Sequence, residues 1–466
     1  MATDLDRLFS TAAAAASAFR DSVGALSAAP EAGFDEILAR FETPVPEQGT
    51  KPEAVLSELL EKASDGLMKS THPRFFGWVI GASHPAGVAA DFMVSAWGQN
   101  AAFHSPTPAA AAIEQVAEGW LLDLLDLPRT ASVGFVTCAT VANAVALSAA
   151  RSRVLANVGW DVEADGLFGA PPVRVLIGED AHSSLFSSLQ MIGFGARRVE
   201  TLATDAQGRI KPAALEAALK AGEGPMVLIL GAGQINTGDF DPFADLIPQA
   251  KAKGAWVHVD GAFGLWARAT PTHWHLTEGV EQADSWATDG HKYLQVPYDC
   301  GFAIVADRAA HLKAMTQWAS YLPTMSGGER VPSAFVPELS RRARGIPVWA
   351  TIKALGRDGI ADLVSRTATL SQRMAARLAA EPGISVLNTV VLNQVSVAFG
   401  TGNEARALTE QVIAAVQAEG TCFAGGSLWH DRWVMRISVS SQLTRAADID
   451  RSADAIIAAW RAVQRG

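Results

Sequence analysis

Short apolar runs recur through the first two thirds of the chain, at residues 133–136, 173–177, 226–230 and 256–259, and amphipathic stretches separate them. Runs of this length, rich in Val, Ile and Leu, predict strands buried on both faces, and the intervening 139–153 and 243–252 predict helices. The alternation points to an α/β fold with a mostly parallel sheet whose chemistry sits at the carboxyl ends of the strands. The first eighty residues show only helical segments, broken by Thr43-Pro44-Val45-Pro46 and by His72-Pro73. Thr107 and Pro108 predict the cap and first turn of a helix over 108–126. From Ile346 the pattern becomes a long helix, a strand at 394–399, a helix at 404–418, a strand at 433–439 and a closing helix after Thr444. The expected division is an N-terminal helical segment over 1–85, a large domain over 86–345 and a small α+β C-terminal domain over 346–466.

Composition narrows the function. The 466 residues are 49% hydrophobic, with 48 acidic against 38 basic side chains and a net charge of −10. Such a chain buries a large core, and it has no basic excess with which to neutralise a phosphate backbone, so no nucleic-acid partner is expected. No run of eighteen apolar residues is present, so no membrane span is expected either. The cysteines, Cys138, Cys300 and Cys422, are odd in number and far apart, which suits a reducing cytoplasm better than a disulfide framework. Asp4 and Asp6 stand where a secretory signal would be basic. His273 and His275 could share one face of a strand, yet no further Cys or His cluster completes a metal site, and an exposed loop suits them better. Thirteen Trp and nineteen Phe contrast with three Tyr, namely Tyr293, Tyr298 and Tyr321, so a mechanism that needs a phenol has few candidates.

Four polar clusters follow the expected strands: Thr137-Cys138-Ala139-Thr140, Glu179-Asp180-Ala181-His182, His258-Val259-Asp260-Gly261-Ala262 and Asp289-Gly290-His291-Lys292. Small and hydroxyl residues at a strand-to-helix turn offer backbone amides to a phosphate. An acid leaving a buried strand needs a cationic or hydrogen-bonding partner, and a lysine among such groups is a usable amine nucleophile. Singly, each has a bland reading as a turn, a cap or a surface charge. Together they are the parts that hold pyridoxal 5'-phosphate, which needs an amine, an acid for its ring nitrogen and donors for its phosphate.

The chain resembles the group II pyridoxal-phosphate-dependent amino-acid decarboxylases, the family of aromatic amino-acid, glutamate and diaminobutyrate decarboxylases. The marks are His72-Pro73-Arg74-Phe75-Phe76-Gly77, Ala181-His182-Ser183-Ser184, Asn236-Thr237-Gly238-Asp239-Phe240-Asp241-Pro242, His258 to Ala262, and Ala283 to Lys292. The resemblance implies an aspartate-aminotransferase-like architecture (PLP fold type I). Its large domain has a mostly parallel seven-stranded sheet, and the protein is a homodimer with active sites at the subunit interface. It implies that Lys292 carries the cofactor as an imine, that Asp260 pairs with the ring nitrogen and that His182 stacks on the ring. Cys138, Ala139 and Thr140 fall at the phosphate turn, Asn236 and Ala262 line the ring, and Asp289 and His291 hold the phosphate or assist proton transfer. The expected reaction is decarboxylation of a small-molecule substrate, an L-amino acid.

Two departures from the family pattern matter. Counting back from Ser340-Arg341-Arg342-Ala343-Arg344 places Pro332, with Phe335 close by, where the family has the loop tyrosine that protonates the substrate carbon. Tyr321 lies about eleven positions earlier. In relatives where phenylalanine replaces that tyrosine, the decarboxylated substrate reacts with oxygen and leaves as an aldehyde, which is the alternative outcome here. The phosphate turn also carries Cys138, Ala139 and Val141 where many relatives have glycine, glycine and glutamate. Trp78, Phe103 and His104 correspond to the family's side-chain pocket, and an aromatic wall favours an aromatic or apolar substrate. Gly425-Gly426-Ser427-Leu428-Trp429-His430 reads as a glycine-rich turn. A nicotinamide-dependent oxidoreductase is the reading from another class. Gly231-Ala232-Gly233 begins like a dinucleotide fingerprint, but the third glycine is missing and Asp239 to Pro242 interrupt the helix that should follow.

Overall fold

The computed structural model describes residues 3–316 and 330–465. By contacts the chain forms two compact units, one of Ser83–Gln372 with Leu387–Val395 and one of Met1–Ala82 with Arg373–Val386 and Ser396–Gly466. These are cut differently from the expected 1–85, 86–345 and 346–466. Residues 346–372 belong with the large sheet, where Thr367 donates a hydrogen bond to the Tyr293 phenol (3.4 Å). The first 82 residues belong with the C-terminal sheet, where the Phe76 amide donates to the Phe423 carbonyl at 2.8 Å.

The larger unit is built on seven strands: β1 Ser132–Val136, β2 Arg174–Gly178, β3 Val199–Leu202, β4 Met226–Gly231, β5 Trp256–Asp260, β6 Ser285–Asp289 and β7 Gly301–Val305. Their order across the sheet is β1-β7-β6-β5-β4-β2-β3. All neighbours are parallel except β7, which runs against both β1 and β6. The reason is connection length. Most other strands are joined through helices, whereas only residues 290–300 separate β6 from β7, too few for a crossover helix, and the chain turns back.

β1, β2, β4 and β5 coincide with the expected apolar runs, whereas β3, β6 and β7 carry no matching expectation. β3 is a short edge strand, and β6 (Ser-Trp-Ala-Thr-Asp) hides its polar residues in full burial, so neither shows an apolar period. The helix Ala139–Ala156 crosses this sheet with most of its residues buried, its alanines allowing close approach to β5, β6 and β7. The helix Pro108–Leu124 begins where the proline predicts, with one correction. The Thr107 hydroxyl does not cap it but donates to the carbonyls of Asn100 (3.1 Å) and Phe103 (2.8 Å).

The second unit carries β10 (Gly425–Trp429) and β11 (Arg432–Ser438), which form a hairpin, beside β9 (Gln394–Phe399) and β8 (Ile384–Val386). The stretch expected as a glycine-rich turn is therefore a strand, and the turn itself is His430-Asp431, both at positive φ (44° and 64°). Its N-terminal helices Asp4–Ser22, Phe34–Phe41 and Pro52–Ala63 bury no residue at all. His273 and His275 lie at a 3-10 turn, Trp274–Thr277, rather than on a strand.

Candidate active site

Register brings the chemistry together. Gly231, Asp260 and Ala287 form one row across β4, β5 and β6, while Val136, Gly301 and Asp289 form another across β1, β7 and β6. Above this edge opens a cleft. Cys138, Ala139 and Thr140 line it together with His182, Asp260 and Ala262, and so do Asp289 and Lys292.

Asp260 ends β5 and is buried, and one of its oxygens accepts the Ala262 amide (3.1 Å). Burial pushes its carboxyl above the usual range, while the charges of His182 and Lys292 pull it back. Lys292 Nζ lies 3.0 Å from Asp289 Oδ2. The other oxygen of Asp289 accepts the Ala139 amide at 2.6 Å, at the start of the helix Ala139–Ala156. His182 caps the helix Ser183–Met191, its Nδ1 accepting the Ser184 amide (3.2 Å).

Behind this layer, His258 bridges Asn143 Oδ1 (2.8 Å) on the cradle helix and Ser285 Oγ (2.9 Å) on β6. Complete burial holds the His258 ring neutral, its pKa lowered to about 3. A neutral ring has one donor and one acceptor, which suits the two partners and locks the helix over β5 and β6. Asp241 plays a similar part beside the cleft, accepting the amides of Gly231 and Ile210 (both 2.7 Å), and burial pushes its carboxyl up to about 7.

Several expected site residues fall elsewhere. His291 is buried with its Nδ1 accepting the Cys300 amide (3.2 Å), and it does not line the cleft. Asn236 is also buried, and its main-chain amide donates to Gln234 Oε1 (2.5 Å), so that Gln234 is the amide residue on the cleft wall. Sequence reasoning passed over Gln234 because its neighbourhood reads as a dinucleotide loop. Gly233 there has a φ of 93°, and the next helix begins only at Phe243. Phe103 packs against Val331, Ala334 and Phe335 in a core cluster, and His104 is half-buried outside the cleft wall. Trp78 belongs to the other unit, is 54% exposed and tilts against Phe75 and Phe423.

The tyrosines also separate. Tyr293 is core. Tyr298 is half exposed, with its ring stacked on His291 at 4.2 Å. Tyr321 lies outside the described residues. Pro332 and Phe335 are buried, the Phe335 ring lying against the guanidinium groups of Arg308 (4.7 Å) and Arg330 (5.0 Å).

Pyridoxal phosphate fits this arrangement. An amine, a buried acid and the open start of a helix face one cleft. The close approach of the phosphate turn to the sheet depends on Gly301, where a Cβ would stand 2.6 Å from the Cys138 carbonyl carbon. Among the described residues no group of three His, Cys, Asp or Glu side chains could hold a metal ion.

Comparison with known proteins agrees. The chain is 31% identical over 372 residues to L-2,4-diaminobutyrate decarboxylase of Rhizobium meliloti (strain 1021), covering 76% of this chain and 71% of that protein. It is 25% identical over 437 residues to 4-hydroxyphenylacetaldehyde synthase of Rhodiola rosea, covering 90% and 86%. Its fold superimposes on the crystal structure of Oryza sativa TDC with PLP and tryptamine with a TM-score of 0.90, at 21% identity and over 99% and 97% of the two chains. Residues 35–400 match the family model described as the pyridoxal-dependent decarboxylase conserved domain, and the chain belongs to that family.

Proposed function

We propose that the protein removes the α-carboxylate of an L-amino acid with an aromatic or apolar side chain. The observation that carries the reading is the convergence of Lys292, Asp260 and His182 on one cleft. When bound, pyridoxal phosphate supplies an electron-poor ring that accepts the electron pair left by departing carbon dioxide. Lys292 would hold its carbonyl carbon, Asp260 would keep a proton on its ring nitrogen, and His182 would pack on its face. The amides of Thr140 and Val141, at the start of the cradle helix, would take its phosphate. Ala262 and Gln234 bound the space.

The preference for an aromatic or apolar side chain rests on relatives such as the aromatic-L-amino-acid decarboxylase of Bacillus atrophaeus, 28% identical over 341 residues. A homodimer is supported by the N-terminal helices, which leave Phe34, Leu38, Val55 and Leu59 exposed as a partner-ready face. No described helix is long and apolar enough to cross a membrane. Cys138, Cys300 and Cys422 are all free thiols, in keeping with a cytoplasmic setting.

A second reading changes the product. The Pro332 to Phe335 stretch offers no phenol and is buried, so the decarboxylated carbon would be oxidised instead of protonated. Dioxygen would take two electrons and become peroxide, water would supply the carbonyl oxygen, and carbon dioxide, ammonia and an aldehyde would leave. The test begins with the purified protein, expected to be yellow and to lose its visible band on borohydride reduction with Lys292 labelled. A colourless protein that binds NAD would overturn the assignment. Oxygen uptake during turnover on aromatic amino acids then separates the products, because stoichiometric peroxide rules out simple decarboxylation.

A further inference from the structure

The phosphate turn and the nucleophilic lysine are usually treated as separate parts of such a site, but one side chain joins them here. Asp289 sits at the end of β6, 2% exposed, and uses its two oxygens on different elements. Oδ1 accepts the Ala139 amide (2.6 Å), the first of the cradle helix, while Oδ2 lies 3.0 Å from Lys292 Nζ and 3.5 Å from His291 Nε2. The slot is sterically defined: a Cβ on Gly301 would come within 3.0 Å of Asp289 Oδ1 as well as within 2.8 Å of the Cys138 backbone. Register reinforces it, since Asp289 pairs with Gly301 and Gly301 with Val136, directly before the turn.

We infer that Asp289 is a positioning residue that holds Lys292 and the phosphate cradle in one fixed relation, and that it supplies the counter-charge for the nitrogen through which Lys292 carries the cofactor. Occupying the Ala139 amide, it leaves the phosphate to the next amides of the helix. A carboxylate also does what a neutral amide at this position would not, favouring positive charge on the Lys292 nitrogen. The other titratable groups around it are Asp260 from β5, His291 on its own segment, and Tyr298 and Cys300 from the segment leading into β7. Burial disfavours the charged form of His291, which leaves Lys292 as the cation that Asp289 serves.

The inference rests on Lys292 being the cofactor's lysine, and the experiment separates the two. Holoenzyme of the wild type, D289N and D289A is titrated with pH while the visible band is followed, and the rate of cofactor release is measured on dilution. Asn keeps an acceptor for the Ala139 amide but removes the charge, so D289N should retain cofactor like the wild type. The midpoint of its band should fall by about one to three pH units. D289A should show the same shift and release cofactor about tenfold faster, because the tie to the helix is also lost. A D289N midpoint within about 0.3 unit of the wild type would reduce Asp289 to a helix cap and overturn the inference, one unit being a sizeable interaction difference. A wild-type protein with no borohydride-sensitive band would instead sink the reading of Lys292.

Discussion

The carboxyl edge of the large sheet and the N-terminal helices of the other unit solve opposite problems. At the sheet edge, several buried polar groups are tied to partners: Asp241 takes two amides, His258 bridges Asn143 and Ser285, and Asp289 holds an amide and an amine. In the helices Asp4–Ser22, Phe34–Phe41 and Pro52–Ala63, apolar side chains stand exposed and nothing is buried. Buried polar groups fix a geometry because leaving any one unmatched costs about 1–3 kcal/mol. Exposed apolar faces fix nothing until another surface covers them. Chemistry belongs to the first kind of region, and the proposed assembly to the second.

The contrast is sharpest at Asp260. D260N should leave the fold intact and lower kcat/KM by at least about a hundredfold, since the ring nitrogen would lose the anionic partner proposed for it. Steady-state kinetics beside a melting curve would show it, and near-normal turnover would remove Asp260 from the site. A double change on the helix face, Phe34→Asp with Leu38→Asp, should act oppositely. Sedimentation is expected to show loss of the proposed dimer, with about a tenfold or greater rise in its dissociation constant and little change in cofactor band. A monomeric wild type would break the comparison.

The last effect is on stability against pH. His258 and His311 are neutral in the folded chain, their pKa values lowered to about 3 by burial from an ordinary 6.5. The unfolded chain therefore binds more protons below pH 6.5, and stability is lost as pH falls from there toward 3. Each ring contributes about 1.4 kcal/mol per pH unit within that window. Melting temperatures should decline from pH 6.5 downward, and a flat profile to pH 5 would show that one or both rings accept a proton without unfolding.

Much of the site was legible because its residues are contiguous with strand ends. Asp260 follows a run of buried residues, so the alternating α/β pattern brings it to the carboxyl edge, whereas Lys292 is legible only through its motif, because β6 shows no apolar period. Asn236 and His291 were placed by motif, and the structure turns them inward, because Gln234 and Asp289 reach the positions they were expected to fill. Thr107 was read as a cap from its place before Pro108, yet two carbonyls within hydrogen-bonding reach took its hydroxyl instead.

By itself the sequence determined the fold class, the strands with strong apolar runs, the lysine and the acid, since these depend on local pattern and on motifs short enough to stay in register. Only the tertiary structure decided that β7 reverses, that Asp289 spans the lysine and the cradle, and that Phe335 is buried between two arginines. Those features depend on distances between residues far apart in the chain, which packing sets and local periodicity does not encode.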